Sequence, residues 1–126
     1  VRRAGDYISA LITAGVWSTI AAGLILHNPR TGTAETLSLA DATGCSMNNA
    51  SASVLTVPLN ATVAFPVGTT IPLLQLGAGQ VTVSPVSGSV TINSRGAAYK
   101  LAGQHAAAVL IQTALNVWNL SGDITV

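Results

Sequence analysis

The stretch 56–83, TVPLNATVAFPVGTTIPLLQLGAGQVTV, constrains the fold more than any other part of the chain. Short runs of β-branched and aliphatic residues alternate there with residues that stop a strand. Val54-Leu55-Thr56-Val57 ends at Pro58, and Thr62-Val63-Ala64-Phe65 ends at Pro66. Gly68 turns the chain before Ile71. Leu73-Leu74-Gln75-Leu76 ends at Gly77-Ala78-Gly79, and Val81-Thr82-Val83 follows. Runs rich in Val, Ile and Thr, bounded by Gly, Pro and Asn, predict strands. Residues 90–92 add a further candidate, and none of these runs shows a helical period. The pattern predicts a mainly β chain, folded as an antiparallel sandwich or barrel.

The flanks are read in the same way. Residues 7–26 carry no charge and follow Arg2, Arg3 and Asp6. A basic start before an apolar run is the form of a signal peptide or anchor. Asp6 and the interruptions at Ser9, Thr13, Ser18 and Thr19 weaken that reading. Tyr7, Ile8, Leu11, Ile12 and Gly15 instead share one helical face, so a short helix is expected there. Residues 19–39 read as a hairpin, with Asn28-Pro29-Arg30-Thr31-Gly32 as its turn. Residues 41–49 are small and polar and read as a loop. Residues 93–97 form a loop, 99–101 a short strand and 117–120 the last strand. Residues 106–113 are ambiguous between helix and strand, since alanines accompany Val109, Leu110 and Ile111. Val-Thr-Val runs recur at irregular spacing and are read as strand grammar rather than as a solenoid.

Charge narrows the function classes. Only 7% of the 126 residues are charged, against about 25% in ordinary soluble domains. The polar surface must therefore come mostly from Ser, Thr, Asn and Gln, and apolar surface on this scale points to interfaces. The five cationic side chains are scattered, so no stripe exists to neutralise phosphates, and nucleic acid is not an expected partner. A lone cysteine, Cys45, forms no intrachain disulfide and reads as a small buried hydrophobe.

Catalysis needs titratable groups gathered together, and the supply is small. His27 and Glu35 could meet across the expected hairpin, where an ordinary cross-strand surface pair is the plainer reading. His105 lacks a second ligand nearby in sequence, so no metal site is expected. Gly77-Ala78-Gly79 is half of a dinucleotide fingerprint, but a strand-like run follows it where a helix is required. No cofactor is expected, and the chain does not read as an enzyme. Phe65 and Trp118 are the large anchors of the β region, expected in the core or at a subunit interface.

The order SLADA, NNASA, LTVP, Asn60, FPVGT, GAGQVTV, SGSVTIN, KLAGQ and VWNLSGD resembles a β-module of tailed-phage virion proteins. That family includes head-decoration (cement) proteins, head fibres and tail-fibre tips. The resemblance covers residues 37–123 and leaves 1–35 outside. The expected division is thus an N-terminal arm with the start of the hairpin (1–35) and a β-module (36–126). The resemblance implies strands near 45–47 and over 106–113, and an aromatic where this chain has His105. It further implies a homotrimer on the outer capsid surface of the virion, partnered by the major capsid protein. A cement protein is favoured over a glycan-binding fibre tip because no fibrous shaft precedes the module. A membrane-anchored or secreted bacterial β-domain is the other alternative; no membrane partner is expected. Arg2, Arg3, Tyr7 and Trp17 are the expected capsid-docking residues, since a buried aromatic anchors and rim charge orients.

Overall fold

The computed structural model describes residues 27–126. Among the described residues eleven strands form two sheets: β1 (Asn28–Arg30), β2 (Ala34–Thr36), β3 (Cys45–Met47), β4 (Ser53–Val57), β5 (Thr70–Gln75), β6 (Val81–Pro85), β7 (Thr91–Ser94), β8 (Lys100–Leu101), β9 (Ala107–Ala114), β10 (Val117–Gly122) and β11 (Ile124–Thr125). Two 3-10 turns, Leu39–Asp41 and Arg95–Ala97, accompany them. The first sheet has the order β1-β3-β5-β9-β10-β7, and the second β11-β8-β6-β4-β2. Alternation along the strands decides what lies between them. Ile71 and Leu73 of β5, Leu110 of β9, and Trp118 and Leu120 of β10 face Leu55, Val57, Val81, Val83 and Leu101 of the second sheet in one buried cluster. Burying each such side chain contributes about 1.5–3 kcal/mol.

The chain is mainly β as expected, but the sheets are mixed rather than antiparallel. The first six strands alternate between the sheets. β1, β3 and β5 pair in parallel in one, while β2, β4 and β6 pair in parallel in the other. Each β-turn-β passage is therefore one coil stacked on the previous coil, so the strand grammar builds a short solenoid-like half. The corners stack through main-chain bonds. The Leu76 N–H donates to Met47 O at 2.8 Å, and the Gly79 N–H to Asn49 O at 2.9 Å. This stacking is what the Gly77-Ala78-Gly79 turn serves. A Cβ at Gly79 would run into the Ser51 carbonyl, and one at Gly77 into the Asn49 backbone. Inside the corner, buried Gln75 accepts from the Val81 N–H and donates to Gly77 O, both at 3.1 Å.

Three local expectations are corrected. The hairpin expected over 19–39 is corrected at its turn (28–32): Asn28–Arg30 is itself strand β1, and β2 lies in the other sheet, while residues 19–26 lie outside the described residues. Residues 28–35, grouped with the arm by sequence, thus supply β1 and the start of β2. Residues 62–65 are not a strand. The Thr62 and Val63 N–H groups both donate to Leu59 O at 3.0 Å, which turns the chain locally. Asn93 and Ser94, expected in a loop, end β7. The strands implied at 45–47 and over 106–113 are present as β3 and β9. The expected N-terminal helix lies outside the described residues.

Candidate functional site

The described residues include six charged side chains, and three of them lie in one network. Asn28 and Arg30 sit on β1 opposite the core residues Cys45 and Met47, so both face the space between the sheets. Glu35 pairs with buried Leu55 and faces the same space from the second sheet. Asp41 closes the 3-10 turn below and is fully buried. Arg30 donates to both Asp41 oxygens, from Nε at 3.1 Å and from Nη2 at 2.6 Å, and to Glu35 Oε1 from Nη1 at 3.0 Å. Asp41 also accepts from Asn28 Nδ2 at 2.9 Å and from the Ser38 N–H at 2.7 Å. Glu35 Oε2 accepts from the Gly32 N–H at 2.9 Å.

Burial alone would raise the Asp41 carboxyl. The bonds from Arg30, Ser38 and Asn28 outweigh it and hold the group below its ordinary range. The Asp41 hydrogen bond in turn raises Arg30, partly opposed by burial. Each Asp41 oxygen accepts at least two hydrogen bonds, and each Glu35 oxygen accepts one. The network is a polar cap. Among the described residues β1 and β2 are the edges of the two sheets on the same side, and the network lies between them. Stacked repeats need a polar terminal layer, and inward-pointing charge blunts a sheet edge.

Cys45 lies directly under this cap. Burial first, and then the Asp41 charge, push its thiol up to about 12, which removes it as a nucleophile at neutral pH. His27 does not pair with Glu35, whose oxygens are taken by Arg30 and Gly32. His105 is a turn residue at φ 69°, and its N–H donates to Gln75 O at 2.6 Å. Among the described residues no group of His, Cys, Asp and Glu could hold a metal ion. No helix among them is long and apolar enough to cross a membrane.

Phe65 and Trp118 come together in the core, 2% and 1% exposed, with ring centroids 5.5 Å apart in an edge-to-face arrangement. Phe65 reaches the core from the 58–69 loop. That loop is fastened by buried Gln112, whose amide nitrogen, in the orientation that satisfies both groups, donates to Phe65 O at 2.9 Å and Pro66 O at 3.0 Å. Arg2, Arg3, Tyr7 and Trp17 lie outside the described residues.

Two surface features went unread in the sequence. One end of the sandwich carries the loops that follow β2, β4, β6 and β9. Each presents a large apolar side chain to solvent: Leu39 (60% exposed), Val67 (59%), Val86 (50%) and Leu115 (62%). The opposite end carries the stacked corners, built mostly of Thr, Gly, Asn, Ser, Ala and Gln, with Leu76 half-buried. The second feature is a groove of about 420 Å³ on the outer face of the first sheet, lined by His27, Ser46, Pro72, Leu74, Ala107 and Val109 among others. The Arg30 network had one legible signal, since three of nine charges fall within residues 30–41. The chain matches no family model, no curated protein and no solved structure.

Proposed function

We propose that the chain is a structural protein of a tailed-phage virion, a capsid cement or decoration protein that acts as a homotrimer on the outer head surface. The observation that carries this reading is the two-ended surface: a polar corner end opposite an end with four exposed apolar loop tips. Isolated exposed aliphatics are ordinary, but several gathered at one end of a chain this poor in charge fit an attachment surface. The motif order, which resembles that of phage β-modules, supports the virion assignment. The mechanism is mechanical: apolar burial joins copies to one another and to the capsid protein, and no bond is made or broken. The N-terminal residues Arg2, Arg3, Tyr7 and Trp17 add a basic, aromatic grip on the capsid or on a neighbouring subunit.

Gold-labelled antibody against the chain tests the assignment on purified phage particles. Label over the heads is expected. Label at the tail or fibre tips would favour a glycan-binding tip, and label confined to bacterial membranes would favour an anchored β-domain. Sedimentation should give three times the 12.7 kDa chain mass; a stable monomer at micromolar concentration would refute the trimer. Deleting residues 1–18 should leave the trimer folded but unable to decorate heads. Unchanged binding would move the docking surface to the loop end, where Leu39→Asp and Leu115→Asp would then abolish it.

A further inference from the structure

Arg95 stands apart from the other arginine of the described residues. Arg30 holds two carboxylates on the β1 and β2 side of the sandwich. On the opposite side, where β7 and β11 are the sheet edges, Arg95 is exposed, and its side chain has no ion pair or hydrogen bond among the described residues. It lines a cleft of about 420 Å³. The strand ends build that cleft. β7 makes its last pairing at Ser94 with Leu120, while β10 runs on to Gly122. Gly96 at φ 68° and Ala97 at φ 55° then turn the chain away toward β8. Ala97 is strained in that region, where a side chain crowds the backbone, and strain of this kind gathers at functional sites.

Beyond Ser94 no strand lies beside β10 on that side among the described residues. Two main-chain bonds fix what the bare edge presents. The Thr91 N–H donates to Asn116 O on the β7 side, and the Asp123 N–H to Ala107 O on the β9 side, both at 2.9 Å. Successive residues of a strand turn their polar groups to opposite sides. The Gly122 N–H therefore points to the β7 side, toward the cleft. Only glycine serves at this position, since φ is 125° and a Cβ would come within 2.7 Å of Ala108 Cα. Asn119 and Ser121, two apart on one face of β10, add an amide and a hydroxyl to the lining, and neither side chain has a partner among the described residues. Apolar surface comes from the core residue Leu120 and from Ile124, which pairs with core Leu101 and faces between the sheets. No Asp or Glu of the described residues lines the cleft; Asp123 follows Gly122 but lies outside it.

We propose that this cleft binds a small aliphatic carboxylate, with its oxygens on Arg95, Asn119, Ser121 and the Gly122 N–H and its hydrocarbon on Leu120 and Ile124. A guanidinium, an amide, a hydroxyl and a main-chain N–H gather donors at one place, and an anion satisfies them together. The guanidinium fork matches the two oxygens of a carboxylate. One cation balances one negative charge, which favours a carboxylate over the nearly doubly charged phosphate group. The apolar lining is aliphatic and contains no aromatic ring, which favours a hydrocarbon body over the flat face of a sugar. The volume falls within the range of roughly 300–1,000 Å³ usual for small-molecule sites. The site is independent of the virion assignment.

Titration of the full chain with hexanoate at fixed ionic strength, followed by amide NMR, tests it. The signals of Arg95, Ser121 and Gly122 should shift and saturate with a dissociation constant on the order of 1 mM. Arg95→Gln, an exposed change in a turn, should leave the remaining signals in place and weaken binding at least roughly tenfold. Hexanol, inorganic phosphate and glucuronate, titrated into the parent in the same way, should each bind more weakly than hexanoate; this comparison stands without the variant. Hexanol binding as tightly overturns the proposal in favour of an apolar crevice. Phosphate binding as tightly overturns it in favour of a general anion site, and glucuronate binding as tightly in favour of a sugar acid. Absence of saturation up to roughly tenfold above the expected constant, or saturation that Arg95→Gln leaves unchanged, overturns it outright.

Discussion

Asp41→Asn is the sharpest perturbation the structure offers, because it changes charge and one donor-acceptor pattern while keeping shape. Asp41 accepts from Asn28 Nδ2 and Arg30 Nε at Oδ1, and from Arg30 Nη2 and the Ser38 N–H at Oδ2. An asparagine must aim its NH₂ at one of these two pairs of donors. Either orientation strands two donors in a site with no solvent access, at about 1–3 kcal/mol for each group left unsatisfied. Arg30 keeps Glu35, which limits the loss. Removing one partner of a buried ion pair costs about 3–5 kcal/mol, and Asp41→Asn should fall in that range. The parent's acid sensitivity should change with it. A depressed carboxyl stabilises the fold fully above its ordinary value of 3.8 and loses that contribution as pH falls below it toward the folded value. Urea unfolding at fixed protein concentration, followed from pH 7 to pH 2, gives both quantities. The midpoint should drop at pH 7 with the slope unchanged, and parent and variant should converge toward pH 2. A loss under about 1 kcal/mol, or an undiminished gap at pH 2, would refute the view that this network caps the coil stack.

Phe65→Ala and Trp118→Ala should each cost about 3–5 kcal/mol in equilibrium unfolding; parent-like melting of both would remove the edge-to-face pair from the core. Gly79→Ala should cost about 1–3 kcal/mol by driving a methyl group into the Ser51 carbonyl, whereas Gly88→Ala, with open space around it, should be nearly neutral by the same measurement. Cys45 should resist thiol reagents at pH 8 in the folded protein and react at once in denaturant, since its thiol is pushed up to about 12; fast labelling of the native state would contradict its burial.

The strands were largely legible, and their partners were not. Runs such as 54–57, 81–83 and 117–120 combine β-branched residues with clear stops, and each lies in a strand of the structure. Cys45–Met47 escaped composition because Cys-Ser-Met carries no β-type pattern, and it is a strand only because β1 and β5 flank it on both sides. Phe65 shows the opposite failure. Its run has strand composition, but Asn60 and Ala61 turn the chain, and the buried Gln112 amide takes the Phe65 and Pro66 carbonyls that a ladder would use. The Arg30 network was missed because a hairpin was expected where the chain crosses between sheets, which set Glu35 opposite His27 instead of Arg30.

Direction of pairing leaves a fainter trace than strand existence, yet one trace was present. Antiparallel neighbours are usually joined by tight turns with residues at positive φ, most readably Asn-Gly, Asp-Gly or Gly-Gly. None of these dipeptides occurs in the chain. The β9–β10 hairpin uses Leu115-Asn116, with Asn116 at φ 58° and a register shift just after it. The corners after β1, β3 and β5 read Thr-Gly-Thr, Asn-Asn-Ala-Ser-Ala and Leu-Gly-Ala-Gly-Gln, which apart from Leu76 are mostly small or polar. Such residues do not reverse a strand on itself. They let one corner lie flat on the next, as the Gly77 and Gly79 contacts with Asn49 and Ser51 require. A β sequence rich in small corners and lacking hairpin dipeptides therefore argues for stacked coils, even when unequal loops, such as the one at 58–69, hide the repeat.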